Sequence, residues 1–210
     1  MIEKHRTPGT IVTSNTSGIP IKLMSKGRSD DFNKNFAITH FFNPPRYLNL
    51  FEVIPSLNCD KDLLNFLLKY GEKYLGKTSI LAKDTPAFIG NRIGTFGIQS
   101  LFHLVKNGDY TIEEIDKLTG SIIGRPKSAT FRTADVVGLD TLISVSKGIY
   151  SSCKNDESIE IFKEPDFLKK MFKNNALGSK TGKGFYKKIK DKSGKSKILR
   201  LDFDSMEYVE

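Results

Sequence analysis

Two ionisable residues, His40 and Glu52, interrupt apolar stretches that are typical of β-strands. Side chains alternate between the two faces of a strand, so each residue lies on the apolar face of its stretch, 36–42 or 48–54. A buried carboxylate without a partner is costly, which favours pairing between the two. A carboxylate that orients an imidazole is suited to general acid/base chemistry. The alternative is a structural histidine in a core and a glutamate at a strand edge.

Two other polar sites are candidates for ligand contacts. Asn91 lies in the otherwise apolar stretch 87–98, where a buried amide needs hydrogen-bond partners. It could hold a substrate carbonyl, or it could be a structural amide with satisfied hydrogen bonds. The segment Ser14–Gly18 (SNTSG) follows a predicted strand, and α/β proteins bind ligands at the carboxyl ends of strands. A plain turn is the alternative for that segment.

The basic residues near the C-terminus do not indicate nucleotide hydrolysis or nucleic-acid binding. Lys180–Gly184 (KTGKG) has the composition of a phosphate-binding loop, but a P-loop requires GxxxxGK[ST] between a strand and a helix. The net charge of +9 suits an anionic partner, yet much of the excess lies between Lys180 and Arg200 among turn residues. We expect a solvated hairpin face there. With no aromatic-interleaved RNA motif or basic recognition helix, no nucleic-acid partner is expected.

The length of 210 residues suffices for one large domain or two small ones. The longest apolar runs fall short of about 18 residues and no leader pattern is visible, so we expect no membrane span and a cytoplasmic location. Cys59 and Cys153 lie far apart without metal-ligand spacing. We therefore expect free thiols and no metal site.

The first 84 residues are predicted to alternate strands and helices, which indicates an α/β sheet. Ser17 is a possible cap for a short helix that ends near Met24. Asp60 is predicted to cap a longer helix, which stops at Gly76. The predicted strands are 10–14, 36–42, 48–54 and 77–82.

After Asp84 the pattern becomes helical. Pro86 suits the first turn of a helix that stops at Asn107–Gly108. Thr111 and Glu114 form a predicted capping box that opens the next helix. The remaining predicted elements are helices over 129–137, 140–150 and 165–177 and a β-hairpin from 184 onwards with its turn at 191–195.

Taken in order, these segments resemble the 3-hydroxyacyl-CoA dehydrogenase family. The similarity rests on five motifs that cover almost the whole chain with family-like spacing. They are SNTSG (14–18), HFFNPPRYLNLFEVIP (40–55), KDTPAFIGNRIG (83–94), VVGLDT (136–141) and KTGKGFYK (180–187). The stretch GRPKSATFRTADVVGLDT further resembles long bacterial fatty-acid oxidation proteins, in which an enoyl-CoA hydratase domain follows the dehydrogenase.

The resemblance implies a fold of the α/β plus all-α class in three parts. We expect a partial Rossmann-type sheet over 1–84, a helical substrate and dimerisation domain over 85–183, and a C-terminal hairpin and tail over 184–210. The implied activity is NAD-dependent oxidation of (S)-3-hydroxyacyl-CoA to 3-oxoacyl-CoA in fatty-acid β-oxidation. The implied partners are NAD as cofactor, an acyl-CoA substrate and a second copy that forms a homodimer.

The resemblance also implies roles for individual residues. His40 would transfer the proton of the substrate hydroxyl while hydride leaves for the nicotinamide, and Glu52 would orient its ring. Ser17 and Asn91 would contact the substrate oxygen and the reacting centre, where they can polarise the developing carbonyl.

Cofactor contacts are implied for Asn43, Lys180 and Ser17, with Ser17 between cofactor and substrate. Family members begin with a strand, a GxGxxG turn and a helix that receives the pyrophosphate, and these 210 residues contain no such motif. We therefore expect a fragment without activity of its own, whose nucleotide-binding half was lost or is supplied by another chain. The alternative function is a non-catalytic module for dimerisation and acyl-CoA binding.

Overall fold

The computed structural model describes residues 2–106, 108, 110–190 and 193–210. It divides into two compact units, Met1–Arg92 and Ile93–Glu210. Among the described residues, no helix is long and apolar enough to cross a membrane. The predicted helix stop at Asn107 and the turn residues Asp191 and Lys192 lie outside the described residues.

The first unit is built around a mixed sheet of four strands in the order β1-β2-β3-β4. β1 and β2 are parallel, β2 and β3 are antiparallel, and β3 and β4 are parallel. The strands are β1 (Val12–Ser14), β2 (Phe36–Phe41), β3 (Leu50–Pro55) and β4 (Thr78–Leu81). This Rossmann-like sheet, with helices in the second unit, confirms the predicted fold class.

Helices cover both faces of this sheet. Helix α3 (Lys61–Leu75) is capped by Asp60 and ends at Gly76 in the left-handed conformation, as predicted. It packs on one face through residues that include Leu63 and Leu67. Short helices lie against the other face, namely α1 (Ile21–Ser25) and α2 (Asp30–Lys34).

The start of α1 differs from the prediction. The residue before the helix is Pro20, and Ser17 does not cap it. Instead the Asp84 carboxylate accepts the backbone N–H groups of Ile21 at 3.0 Å and Lys22 at 3.4 Å. The capping residue is far away in the sequence, so the residue pattern around the helix start could not identify it.

Helix α4 (Gly90–Lys106) begins later than the prediction from Pro86. Ala87 and Phe88 adopt left-handed φ angles of 65° and 49°, so the chain turns once before the helix begins. Such angles are unusual for residues other than glycine and persist where surrounding contacts fix them.

The second unit is mostly helical. The predicted capping box is present, with Glu114 N–H donating to Thr111 Oγ1 at 3.3 Å and Thr111 N–H donating to Glu114 Oε2 at 2.8 Å. Gly138 separates two helices as predicted. The helices that follow α4 are α5 (Ile112–Leu118), α6 (Phe131–Val137), α7 (Leu139–Ser152) and α8 (Asp166–Lys173).

The C-terminal strands form a three-stranded sheet rather than the predicted hairpin. β5 (Tyr186–Lys190) and β6 (Ser196–Leu201) make the hairpin, and β7 (Tyr208–Val209) adds a third strand. Phe185, immediately before β5, packs its ring on Phe102 of the helices at 5.1 Å between ring centroids. The predicted boundaries at 84 and 183 stay predictions.

Candidate active site

His40 and Glu52 lie directly opposite each other on the antiparallel strands β2 and β3. Their atoms Nδ1 and Oε2 are 2.6 Å apart, and both side chains are buried. The contact expected from strand alternation is therefore present. Because the Glu52 carboxylate accepts a hydrogen bond from Nδ1, Nδ1 carries the ring proton. Nε2 is then the basic nitrogen and can exchange a proton with a ligand.

The Glu52 carboxylate accepts hydrogen bonds on both oxygens. Oε1 accepts the backbone N–H groups of Ile89 at 2.9 Å and Gly90 at 2.8 Å. Burial raises the pKa of Glu52, but these bonds and the bond from His40 outweigh it, so the pKa lies below its ordinary value. Glu52 is therefore an anion at neutral pH and stabilises a protonated imidazole.

Aromatic side chains surround the imidazole of His40. The ring centroid of Phe42 lies 4.6 Å away and that of Phe88 lies 5.5 Å away, both edge-on. Gly90 also contacts this wall, since a Cβ there would meet Phe42 Cζ at 2.5 Å. The apolar walls exclude water around His40, which strengthens its interaction with Glu52.

The segment predicted to bind ligands, which contains Ser17, connects β1 to α1. We call residues 15–20 the Ser17 loop. Because β1 and β2 are parallel, their carboxyl ends lie at the same edge of the sheet, where ligands bind in α/β folds. Ser17 is half-buried in this loop, and the exposed Asn43 follows β2 at the same edge.

Asn91 occupies the first turn of α4, beside the glycine whose N–H binds Glu52, and is half-buried. The Ser17 loop is linked to the strand of His40 by the Asn15 side chain, which accepts the N–H of Phe41. Asn91 is linked to Glu52 through the N–H of Gly90. Two residues of these links were missed by sequence reasoning. They are Asn15 and Asp84, whose side chains accept hydrogen bonds from distant backbone N–H groups. Each is an Asn or Asp residue beside a turn, a pattern that often indicates a side-chain bond to the backbone.

Lys180 belongs to the second unit, where its ammonium group lies 2.5 Å from both carboxylate oxygens of Asp140. The bond lowers the pKa of Asp140. Gly138 makes room for the pair, since a Cβ there would meet Asp140 Oδ1 at 2.9 Å. Sequence reasoning missed Asp140 as the partner, although it lies within the VVGLDT motif.

Two sequence models of one family cover most of the chain. Residues 1–85 match the 3-hydroxyacyl-CoA dehydrogenase NAD binding domain, and residues 88–188 match the C-terminal domain. The chain belongs to the 3-hydroxyacyl-CoA dehydrogenase family. The resemblance inferred from the five motifs is confirmed.

Individual relatives agree with the family assignment. A probable 3-hydroxyacyl-CoA dehydrogenase of Bacillus subtilis (strain 168) is 49% identical over 210 residues, which is all of this chain and 26% of the relative. A probable 3-hydroxyacyl-CoA dehydrogenase of Deinococcus radiodurans is 43% identical over 94% of this chain and 56% of the relative. The chain thus spans between a quarter and little more than half of these relatives.

A solved structure shares both sequence and fold. The (S)-3-hydroxybutyryl-CoA dehydrogenase PaaH1 from Ralstonia eutropha is 30% identical, with a TM-score of 0.72 over 83% of this chain and 59% of that chain.

Proposed function

We propose that this chain provides the proton-transfer and substrate-contacting part of an NAD-dependent (S)-3-hydroxyacyl-CoA dehydrogenase. The observation that supports this most directly is the buried His40–Glu52 contact of 2.6 Å. It lies on the sheet whose carboxyl edge presents the Ser17 loop and Asn43. The family of the chain and the substrate for which the Ralstonia enzyme is named support the same substrate class.

His40 is the acid/base residue in this proposal. In the oxidation direction Nε2 accepts the proton of the substrate 3-hydroxyl, while Nδ1–H remains bonded to Glu52. The negative charge of Glu52 stabilises the imidazolium that forms. In the reduction direction the imidazolium returns the proton to the carbonyl oxygen.

Ser17 and Asn91 contact the substrate oxygen. A hydroxyl and an amide are hydrogen-bond donors, so they stabilise negative charge that develops on this oxygen. Both side chains are half-buried, which leaves part of each accessible to a ligand.

NAD is the cofactor in this proposal, and the chain holds part of its site. Ser17 and Asn43, small polar residues at the carboxyl edge of the sheet, fit contacts to the nicotinamide end. The family resemblance implies a cofactor contact for Lys180 as well. When bound, NAD accepts the hydride from C3 of the substrate. The glycine turn that holds a pyrophosphate is not among these 210 residues.

Fatty-acid β-oxidation is the proposed context, because the GRPKSATFRTADVVGLDT stretch resembles long fatty-acid oxidation proteins. We propose a homodimer formed through the helical part. Large exposed apolar side chains of the second unit support this, namely Ile93, Ile122, Ile123, Val136 and Val137. A cytoplasmic location stays a prediction from the sequence.

The second candidate function is a non-catalytic module that dimerises and binds acyl-CoA beside an intact subunit. The same exposed apolar side chains favour it. It predicts acyl-CoA binding by the 210-residue chain with no contribution of His40 to turnover.

A hybrid protein tests the proposal. In it, this chain replaces the matching 210 residues of the Bacillus subtilis relative, which supplies the rest of a dehydrogenase. We expect the hybrid to reduce acetoacetyl-CoA with NADH at a rate on the order of 10 per second. His40→Gln should lower kcat by about 10² to 10⁴ and leave NADH binding, measured by calorimetry, unchanged. A His40→Gln hybrid with more than half the activity would overturn the proposal and favour the module.

A further inference from the structure

The Ser17 loop begins at a side-chain contact to the strand that holds His40. Asn15 Oδ1 accepts the backbone N–H of Phe41, the residue after His40, at 2.9 Å. The backbone pairing of β1 with β2 ends at Ser14 and Ile38. The Asn15 side chain therefore continues the hydrogen bonding of β1 to β2 beyond the point where the main chain leaves the sheet.

The loop ends at a second side-chain contact. As α1 begins, the Asp84 carboxylate accepts the N–H groups of Ile21 at 3.0 Å and Lys22 at 3.4 Å. Pro20 offers no side-chain acceptor, so these bonds satisfy donors that would otherwise need water. Asp84 lies on the segment that leads from β4 to Asn91. The end of the loop is thus fixed to the part of the chain that positions Asn91.

Weaker contacts within the loop join these two anchors. Thr16 N–H donates to Ser14 Oγ at 3.4 Å, and Ile19 N–H donates to Thr16 Oγ1 at 3.3 Å. Such local bonds hold a turn but do not place it against the sheet. The placement of Ser17 relative to His40 and Asn91 therefore depends on the two anchors.

We propose that Asn15 and Asp84 are positioning residues, which fix the position of the Ser17 hydroxyl relative to His40 and Asn91. The inference rests on the proposed function, in which Ser17 contacts the substrate oxygen. A displacement of a contacting group by about 1 Å from a distant change can lower the rate of a reaction by about 10². Loss of either anchor releases one end of the loop, so we expect kcat to fall about 10-fold to 100-fold while KM changes less.

Hydrogen exchange on the full 210-residue chain tests the anchoring itself. Asn15→Ala should speed exchange of the Phe41 amide, and Asp84→Ala that of the Ile21 amide, each about 10-fold or more. The amides of Val12 and Ala82, which bond main-chain carbonyls of the sheet region, should be unaffected. Asn15→Asp keeps its acceptor oxygen and should retain most of the protection at Phe41. Asp84→Asn keeps one acceptor for two N–H donors, so it should retain part of the protection at Ile21. Unchanged exchange at Phe41 and Ile21 would overturn the inference.

Kinetics in the hybrid protein separate positioning from a role in fold stability alone. If the anchors act through Ser17, Asn15→Ala and Asp84→Ala should each lower kcat in the Ser17 protein and change it less than about 3-fold in a Ser17→Ala background. The conservative variant Asn15→Asp should recover most of the rate, and Asp84→Asn, which keeps one of the two bonds, should recover part of it. Equal losses in both backgrounds would show that the anchors do not act through Ser17.

The outcomes also distinguish this inference from the proposed function. If His40→Gln abolishes turnover but Ser17→Ala does not lower kcat, the proposed reaction stands and the positioning role is wrong. If His40→Gln leaves turnover intact, the proposed function itself fails. Unchanged melting temperatures of the anchor variants, with the expected loss of kcat, support the inference.

Discussion

Glu52 Oε2 lies 2.6 Å from His40 Nδ1, while Glu52 Oε1 accepts the N–H groups of Ile89 and Gly90. One carboxylate thus connects the histidine on β2 to the first turn of α4. Since three donors converge on two oxygens, only an ionised carboxylate accepts them all.

Glu52→Gln should therefore lower both stability and activity. An amide has one acceptor oxygen, so its NH₂ group faces either the two backbone N–H donors or His40 Nδ1. In the second orientation Nδ1 must accept, which moves the ring proton to Nε2 and removes the base. We expect a loss of about 1 to 3 kcal/mol in the free energy of unfolding of the 210-residue chain, measured in urea. In the hybrid protein, kcat should fall because the imidazole loses its orienting anion. The exposed Glu72→Gln on α3 is the control, with a change within about 0.5 kcal/mol; equal effects of the two variants would contradict this prediction.

The His40–Glu52 contact was predictable because it follows from strand alternation. Each residue shares a face with apolar neighbours, and two such positions on adjacent strands specify a pair. Local motifs also predicted the Asp60 cap and the Thr111 capping box, because donor and acceptor lie within a few residues.

The contacts that place the Ser17 loop were not predictable from local sequence. Asp84 caps α1 from 63 residues away, and Glu52 satisfies N–H groups 37 and 38 residues away. Helix α4 begins not at Pro86 but at Gly90, where Glu52 accepts the N–H group of Gly90. The bonds of Asp84 and Glu52 depend on which strands are neighbours in the sheet. A short stretch of sequence does not contain that information.

The isolated 210-residue chain should bind NADH weakly. The cofactor contacts that we propose for Ser17, Asn43 and Lys180 are peripheral, and the glycine turn with its helix dipole is not among these residues. We expect a dissociation constant of about 1 mM or weaker, equivalent to about 4 kcal/mol of binding. Calorimetric titration with NADH measures it, with the hybrid protein as the positive control. Micromolar binding and acetoacetyl-CoA turnover by the isolated chain would show that the missing turn is dispensable.

Gly71→Ala should destabilise the first unit. A Cβ at this position of α3 would meet Ser79 Oγ at 2.4 Å and Phe51 Cδ1 at 2.6 Å, so the helix must move away from the sheet. We expect a loss of about 1 to 3 kcal/mol in the free energy of unfolding. Gly97→Ala on α4 is the matched control, because a Cβ there meets nothing within 4 Å and alanine favours a helix by up to about 1 kcal/mol. The prediction is wrong if Gly71→Ala is as stable as Gly97→Ala.

Asp135 in α6 should contribute more to the stability of the second unit at acidic pH than at neutral pH. Its buried carboxylate accepts the backbone N–H groups of Phe185 at 2.8 Å and Tyr186 at 2.9 Å. Burial raises the pKa of Asp135 from its ordinary value of 3.8 to about 6, against the effect of these bonds. Between these values the folded state binds more protons than the unfolded state, so the contribution of Asp135 is complete below pH 3.8 and lost as pH rises through 6.

Asp135→Asn removes this titration. The amide offers one acceptor to two N–H donors, so the variant should be less stable by an amount that does not depend on pH. The stability of the unsubstituted chain relative to the variant should then fall by about 3 kcal/mol from pH 3.8 to pH 7, measured by urea unfolding at each pH. Asp140→Asn is the control of opposite sign, because the bond from Lys180 lowers the pKa of Asp140 and its contribution is lost as pH falls. If the free energies of unfolding of the unsubstituted chain and Asp135→Asn differ by the same amount at every pH in this range, the buried carboxylate does not change its proton affinity on folding.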